Sequence, residues 1–365
     1  MPLPKPAPAA LAHSEQVKRH IVREIESAGG WIDFARYMEL ALYAPGLGYY
    51  SAGAAKFGGG GDFVTAPEIS SLFGRAVARP IAETLADNRG GMLEVGAGSG
   101  KLALDLLGEL EKMDALPETY CILELSADLQ QRQRALLQER APRFLDRVTW
   151  LDVLPASFSG VVVGNELLDA MPVHLVHWHD DKILERGVVA GEYGFSWADR
   201  SLSNASLRAI AERIAPAGDY LSEISLAIPG FIRSIGKMLR RGTAIFIDYG
   251  FRREEFYHPQ RDRGTLMCHY RHRSHDDPFH LPGLQDITAH VDFGAVQAAA
   301  TEAGLEVASY STQARNLIDC GITDLLREID PQDAAAYLPL ANQVQRLLSP
   351  AEMGELFKVI VLRRD

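Results

Sequence analysis

Apolar residues fall along this chain in two textures. There are short unbroken apolar runs, and there are longer stretches in which apolar positions recur every three or four residues. Unbroken runs fit strands buried on both faces, and the recurrent pattern fits helices with one apolar stripe. The alternation of the two predicts strands at 92–95, 120–124, 148–152 and 160–166, with a helix at 101–110 behind the first. Upstream, 14–26, 34–43 and 70–86 have helical periodicity, and Ser14 is the expected N-cap of the first. A loop crowded with Gly, Tyr and Ser, including glycines at 58–61, separates 43 from 65. Residues 173–178, 182–189 and 193–197 alternate apolar and polar, parted by turn signals at His179-Asp180-Asp181 and Gly191, which predicts an antiparallel meander. A helix at 225–240, a fifth strand at 243–248 and two last strands at 305–311 and 357–362 complete the pattern. Residues 251–292 form a polar segment rich in His and Arg, too long for a passive connection.

Composition narrows the class. At 365 residues the chain can bury a large core, and its formal net charge of −11 argues against broad binding to a phosphate backbone. Cys121, Cys268 and Cys320 form neither a pair framework nor C-x-x-C, so a reduced, cytoplasmic setting is expected. No apolar run reaches membrane-spanning length. The Pro- and Ala-rich start lacks the basic-plus-apolar plan of a signal peptide and reads as a disordered tail over 1–13.

The first strand ends in Glu94-Val95-Gly96-Ala97-Gly98-Ser99-Gly100, followed at once by helical sequence. Glycines at such a turn let the backbone approach a ligand while the helix N-terminal amides face it. A dinucleotide fingerprint would need G-x-G-x-x-G, and Gly100 falls one residue early for that. E-x-G-x-G-x-G instead resembles motif I of the class I S-adenosylmethionine (SAM) methyltransferases. A glycine-rich turn of any α/β protein is the plainer alternative. The next strands also end in polar groups: Glu124, placed to accept both hydroxyls of a ribose, then Asp152, then Asn165 and Glu166. Ligands of open parallel sheets bind outside the carboxyl ends of the strands, so the series marks one site.

Further segments carry a closer resemblance. Leu42-Tyr43-Ala44-Pro45, Gly48-Tyr49-Tyr50-Ser51, residues 61–70, Phe73-Gly74, Glu124-Leu125-Ser126, residues 165–173, Asp248-Tyr249-Gly250, Gly264-Thr265-Leu266, residues 286–293 and residues 353–358 are similar to the MidA-like methyltransferases. That is the family of a mitochondrial complex I assembly factor that methylates arginine. The resemblance covers nearly the whole chain from about residue 30. It implies an α/β fold, a Rossmann-like seven-strand class I methyltransferase sheet with a helical N-terminal segment, an inserted antiparallel meander and a long polar insertion. It implies SAM as cofactor and a protein acceptor, a subunit homologous to the 49 kDa subunit of NADH–quinone oxidoreductase. The expected division is an N-terminal helical and lid region at 14–88, a SAM-binding core at 89–172 and 221–250, the meander at 173–220, a substrate-side insertion at 251–303 and the last helices and strands at 304–365.

Cofactor contacts are expected at Glu94, Gly96, Ala97, Gly98, Gly100, Glu124, Leu125, Asp152, Val153 and Asn165. Asp62 and Thr65 are expected in a lid that covers them. For catalysis, an arginine acceptor is protonated in water and calls for carboxylates that grip and orient it. Glu166 is assigned that role. Asp169, three residues on, is the second carboxylate or a cap of the turn before Pro172. His290 braces the acceptor carboxylates by analogy with arginine methyltransferases, or is a buried structural histidine. Six of the eleven histidines lie between 258 and 290, and His269, His272 and His275 recur every third residue. Intervening arginines argue against a metal there, and none is expected. Two other functions compete: a methyltransferase for a small molecule or tRNA, and a non-catalytic assembly chaperone that retains a SAM site.

Overall fold

Buried runs of the sequence become the centre of one twisted sheet. The computed structural model describes residues 3–52, 64–88 and 90–365. Seven strands make the sheet: β1 (Gly91–Val95), β2 (Tyr120–Leu123), β3 (Val148–Leu151), β4 (Phe158–Asn165), β5 (Leu239–Phe251), β6 (Glu306–Thr312) and β7 (Phe357–Arg364). Their spatial order is β6-β7-β5-β4-β1-β2-β3. Strands β1 to β5 are mutually parallel, and β7 runs antiparallel between β5 and β6. This is the class I methyltransferase fold. The chain leaves β1 toward β3 and then returns to β4 on the other side. That reversal opens a crevice at the carboxyl ends of β1 and β4.

Along β4, Val161 and Val163 face one helical layer and Val162 the other, all with no exposed surface. The first layer holds the helices Ser71–Asn88 and Lys101–Lys112; the second holds Ala227–Met238 and Phe293–Glu302. A strand covered on both faces has no polar alternate positions, which is why these runs read as unbroken apolar sequence.

Three features differ from the sequence expectations. Residues 1–13 were expected to be a tail, but the first helix spans Pro8–Ser27. Proline in the first helical turn gives up no needed amide hydrogen bond, and alanines favour the helix behind it. Ser14 is therefore interior instead of an N-cap, buried with its hydroxyl donating to the Pro282 carbonyl at 2.9 Å. The seven-strand sheet gains a short eighth member, Val291–Asp292, paired in parallel with Gly250–Phe251. The polar segment after β5 is also partly ordered as a sheet, with Met267–Tyr270 between Arg273–His275 and Asp286–Thr288.

The strands His174–His179, Lys182–Gly191 and Gly194–Ser201 form an antiparallel meander. Tyr220–Ile224 and the N-terminal Ile32–Asp33 extend it to five strands. The N-terminal helices pack on this second sheet through Val17, Ile21 and Tyr37 against Val173, Leu175 and Val188. They thereby form one wall over the crevice.

Candidate active site

The loop after β1 has the shape its glycines predict. Gly96 and Gly98 have φ of 69° and 54°, in the left-handed region where a side chain is strained. Gly100, also left-handed, caps the helix Lys101–Lys112. Glu94 lies beneath the loop, where the Tyr120 hydroxyl donates to Oε2 at 2.6 Å, and burial pushes its carboxyl up to about 7.

Glu124 closes β2 and is buried, accepting from the Ser126 amide at 3.0 Å and from Gln133 Nε2 at 3.2 Å. Gln133 also donates to the Gly98 carbonyl at 2.9 Å and accepts from Trp150 Nε1 at 2.9 Å. It thus fixes the glycine loop, the strand-end carboxylate and β3 together, and it was missed from sequence. The available signal was its place in an apolar stripe, between Leu129 and Leu137 at four-residue spacing. Leu125 and Val153, at the tips of β2 and β3, are each 74% exposed, although large aliphatic side chains normally avoid water. Asp152 accepts from Gln130 Nε2 at 3.1 Å beside them. Ala97 is buried in the loop. Thr65 precedes the short helix Ala66–Ile69 without capping it through its side chain. Asp62 and the glycines at 58–61, expected in the lid, lie outside the described residues.

Across the crevice, β4 ends in Asn165 and Glu166. No helical turn forms at 166–169 to put Glu166 and Asp169 on one helix face. Glu166 instead adopts φ of 49°, and Asp248 Oδ2 accepts the amides of Leu167, Leu168 and Asp169 at 3.1, 2.8 and 3.3 Å. The carboxylate that holds this bend therefore comes from the end of β5.

Glu166 Oε1 accepts from the Ala66 amide at 3.3 Å and from Asn165 Nδ2 at 3.1 Å. Burial, with the Asp169 charge adding, pushes its carboxyl up to about 8. Asp169 accepts from the Tyr249 hydroxyl, and burial raises it to about 6 against that bond. Asp248 is raised well above the carboxylate range by burial and by Asp169. Asp286 is also buried and accepts from the Tyr50 hydroxyl at 2.9 Å. Tyr50 stacks on Tyr43 with ring centroids 5.5 Å apart, and Tyr43 donates to the Ala170 carbonyl at 2.9 Å. Asp248, Asp286, Tyr43, Tyr50 and Tyr249 were not assigned to the site from sequence.

His290 meets this group through its ring. It stands edge-on to Tyr249 and to Phe251, each at 5.2 Å, and burial pushes its pKa down to about 4. Asn165 Oδ1, Asp169 Oδ1 and His290 Nδ1 are buried with no hydrogen-bond partner among the described residues. The two oxygens, Asn165 Oδ1 and Asp169 Oδ1, are free to accept from a ligand's donors. The segment 65–69 joins the two halves of the crevice. Ala66 reaches Glu166, and Glu68 accepts from the Ser99 hydroxyl in the glycine loop.

A family model for S-adenosyl-L-methionine-dependent methyltransferases matches residues 74–311, which hold the glycine loop, Glu124, Glu166, Asp169, Asp248 and Asp286. The chain belongs to this family. A solved structure from Burkholderia thailandensis, bound to S-adenosyl-homocysteine, is similar at 52% identity and a TM-score of 0.96. The match covers 100% of this chain and 95% of that one. The mitochondrial protein arginine methyltransferase NDUFAF7 of Danio rerio is 27% identical over 94% of this chain and 87% of its own length. Its counterpart in Rattus norvegicus is 28% identical over 97% and 86%.

The residues present fit the cofactor. The left-handed glycine turn gives backbone access, Glu124 can accept ribose hydroxyls, and Leu125 and Val153 offer apolar flanks for a purine ring. SAM is the methyl donor of this methyltransferase, and when bound it supplies an electrophilic methyl carbon.

Proposed function

We propose that this methyltransferase acts on an arginine side chain of a protein. The observation that carries this reading is the carboxylate group of half-buried Glu166 and buried Asp169, Asp248 and Asp286. Burial raises Glu166, Asp169 and Asp248, the Asp169 charge adds at Glu166 and Asp248, and no cationic residue offsets any of the three. Buried carboxylates without a cation are costly, and a guanidinium supplies both the charge and the fixed fork of donors they lack.

In this reading Glu166 and Asp169 bind the guanidinium, Asp169 through the Oδ1 that has no partner. Tyr249 holds Asp169, and Asp248 holds the bend that aims both. Tyr43 and Tyr50 wall the approach. As the acceptor nitrogen forms its bond to carbon, it must give up a proton. Before the acceptor binds, Glu166, with a carboxyl near 8, holds its own proton at neutral pH; the arriving guanidinium lowers that value, and the carboxylate so formed is placed to take the proton the nitrogen gives up. His290 stays neutral and backs Tyr249.

The relatives named arginine methyltransferases support the acceptor class. By the sequence resemblance to the MidA-like methyltransferases, we further propose as acceptor protein a subunit homologous to the 49 kDa subunit of NADH–quinone oxidoreductase, and the unpaired cysteine pattern supports a cytoplasmic setting for the reaction. The deciding experiment is transfer of isotope-labelled methyl from SAM to that subunit, with the modified residue located by mass spectrometry. Label on an arginine sustains the proposal. Label confined to lysine, to RNA or to small molecules refutes it.

A further inference from the structure

Far along the chain from the glycine loop, the inserted sheet gathers a second set of titratable groups. His177 and His179 alternate with the buried Trp178 on one strand, so both imidazoles project from its other face. Asp219 immediately precedes the adjacent strand, whose Tyr220 pairs with Trp178. Asp219 Oδ1 lies 2.7 Å from His177 Nε2 and 3.3 Å from His179 Nδ1. The remaining ring nitrogens also face carboxylates: His177 Nδ1 is 2.9 Å from Asp199 Oδ2, and His179 Nε2 is 3.1 Å from Asp180 Oδ2. Arg186 forks onto Asp199 at 2.8 and 2.9 Å and approaches His177 Nδ1 at 3.3 Å.

Four imidazole nitrogens thus meet three carboxylates. A neutral imidazole has one N–H and one lone pair, so each ring can give a hydrogen bond to its outer carboxylate and keep a lone pair toward Asp219. A metal ion resolves the arrangement with neutral rings. Each outward N–H donates to Asp199 or Asp180, and the two inward lone pairs join Asp219 around the ion. Outer carboxylates that fix the tautomer in this way are the usual support of metal-binding histidines. We infer that His177 Nε2, His179 Nδ1 and Asp219 Oδ1 form a site for a zinc-type divalent cation that clasps two strands of the inserted sheet.

The three donor atoms lie within 4.8 Å of one another. Tetrahedral zinc with bonds of about 2.0–2.1 Å separates its donors by about 3.3 Å. The 2.7 Å contact must therefore widen by roughly half an ångström, which the Asp219 side chain, 67% exposed, can provide. A fourth position is left for water. By contrast, Asp33 and Glu185 both converge on the same nitrogen of His174, at 3.8 and 2.7 Å, which makes an ion pair and leaves no place for an ion between them.

The test uses untagged full-length protein, stripped with chelator, then titrated with Zn²⁺ in calorimetry and with Co²⁺ in visible absorption. One equivalent should bind, with the intense ligand-field absorption of a tetrahedral cobalt site. Asp219→Asn, at an exposed position, should weaken binding at least tenfold. Asp199→Asn, which leaves every ligand in place, should weaken it about ten- to a hundredfold. The double variant His177→Asn/His179→Asn should abolish it, while SAM affinity stays unchanged in all three. Absence of saturable binding by the wild type overturns the inference. So does an equivalent of metal retained by a folded double variant, which would place the ion elsewhere.

Discussion

Glu166→Gln tests the acceptor site most directly, because it removes a charge while keeping a shape. The amide oxygen can accept from Ala66 and from Asn165 as Oε1 does now. SAM affinity should therefore hold, since neither bond belongs to the glycine loop or to Glu124. Methyl transfer should fall by about a hundredfold or more, the scale of losing one preorganised electrostatic contact. Stability should move the other way. The Glu166 carboxyl is raised from 4.5 to about 8. Between those values the folded chain holds a proton that the unfolded chain has released. Wild-type stability therefore falls as pH rises through this window and levels off above it. The full interval corresponds to roughly 4–5 kcal/mol, an upper bound because Asp169 titrates with it. Glutamine has no such penalty, so the variant should melt above the wild type at pH 9, with the gap closing toward pH 5. Transfer to the acceptor, calorimetric SAM affinity and melting curves from pH 5 to 9 on one preparation read all three. Near-normal transfer by Glu166→Gln, or a melting gap independent of pH, would refute the reasoning.

Gly98→Val should abolish SAM binding, because φ of 54° strains a branched side chain at the point of closest backbone approach; unchanged calorimetric affinity in a folded variant would displace the site. Glu124→Ala should weaken SAM by about 2–4 kcal/mol through lost charge-assisted hydrogen bonds, and equal affinity would remove Glu124 from the ribose role. Tyr249→Phe keeps the packing on His290 but deletes the donor that holds Asp169 down. Transfer should drop about tenfold, and the rise of kcat/KM with pH should shift to higher pH; an unmoved pH profile would show that the Asp169 carboxylate is not part of acceptor binding.

What could be read from sequence follows from how local each signal is. The strands β1, β4 and β5 are legible because burial on both faces leaves unbroken apolar runs, and their ends are marked by Glu94, Glu166 and Asp248. The glycine loop is legible because φ restricts residue choice directly. Gln133 was not, because its partners on the glycine loop, β2 and β3 are local only in space. Asp248 obeyed the same strand-end rule as Glu124 and could have been assigned by it. Asp286 and Tyr50 carry no such mark. They are 236 residues apart in the chain and become a pair only when the N-terminal wall closes on the polar segment. The first helix was expected at 14–26, and its opening residues, Pro8 to His13, were missed because proline and alanine also characterise disordered tails.

The acceptor side of the crevice is assembled from locally unfavourable choices. Glu166 occupies a left-handed conformation that costs a non-glycine residue of order 1–2 kcal/mol. Four acids gather there, three of them buried and Glu166 half-buried, with carboxyls near 8 at Glu166 and near 6 at Asp169. None of this helps the chain to fold, and the apolar layers on both faces of the sheet must offset it. In the proposed reading, the same features become favourable once a guanidinium arrives. A cation lowers the cost of every buried carboxylate at once, and a bend already held by Asp248 needs no reorganisation to receive it. An acceptor without positive charge would gain nothing from the four acids and would leave Glu166 protonated. The cost of the empty site is thus itself a preference for a cationic acceptor.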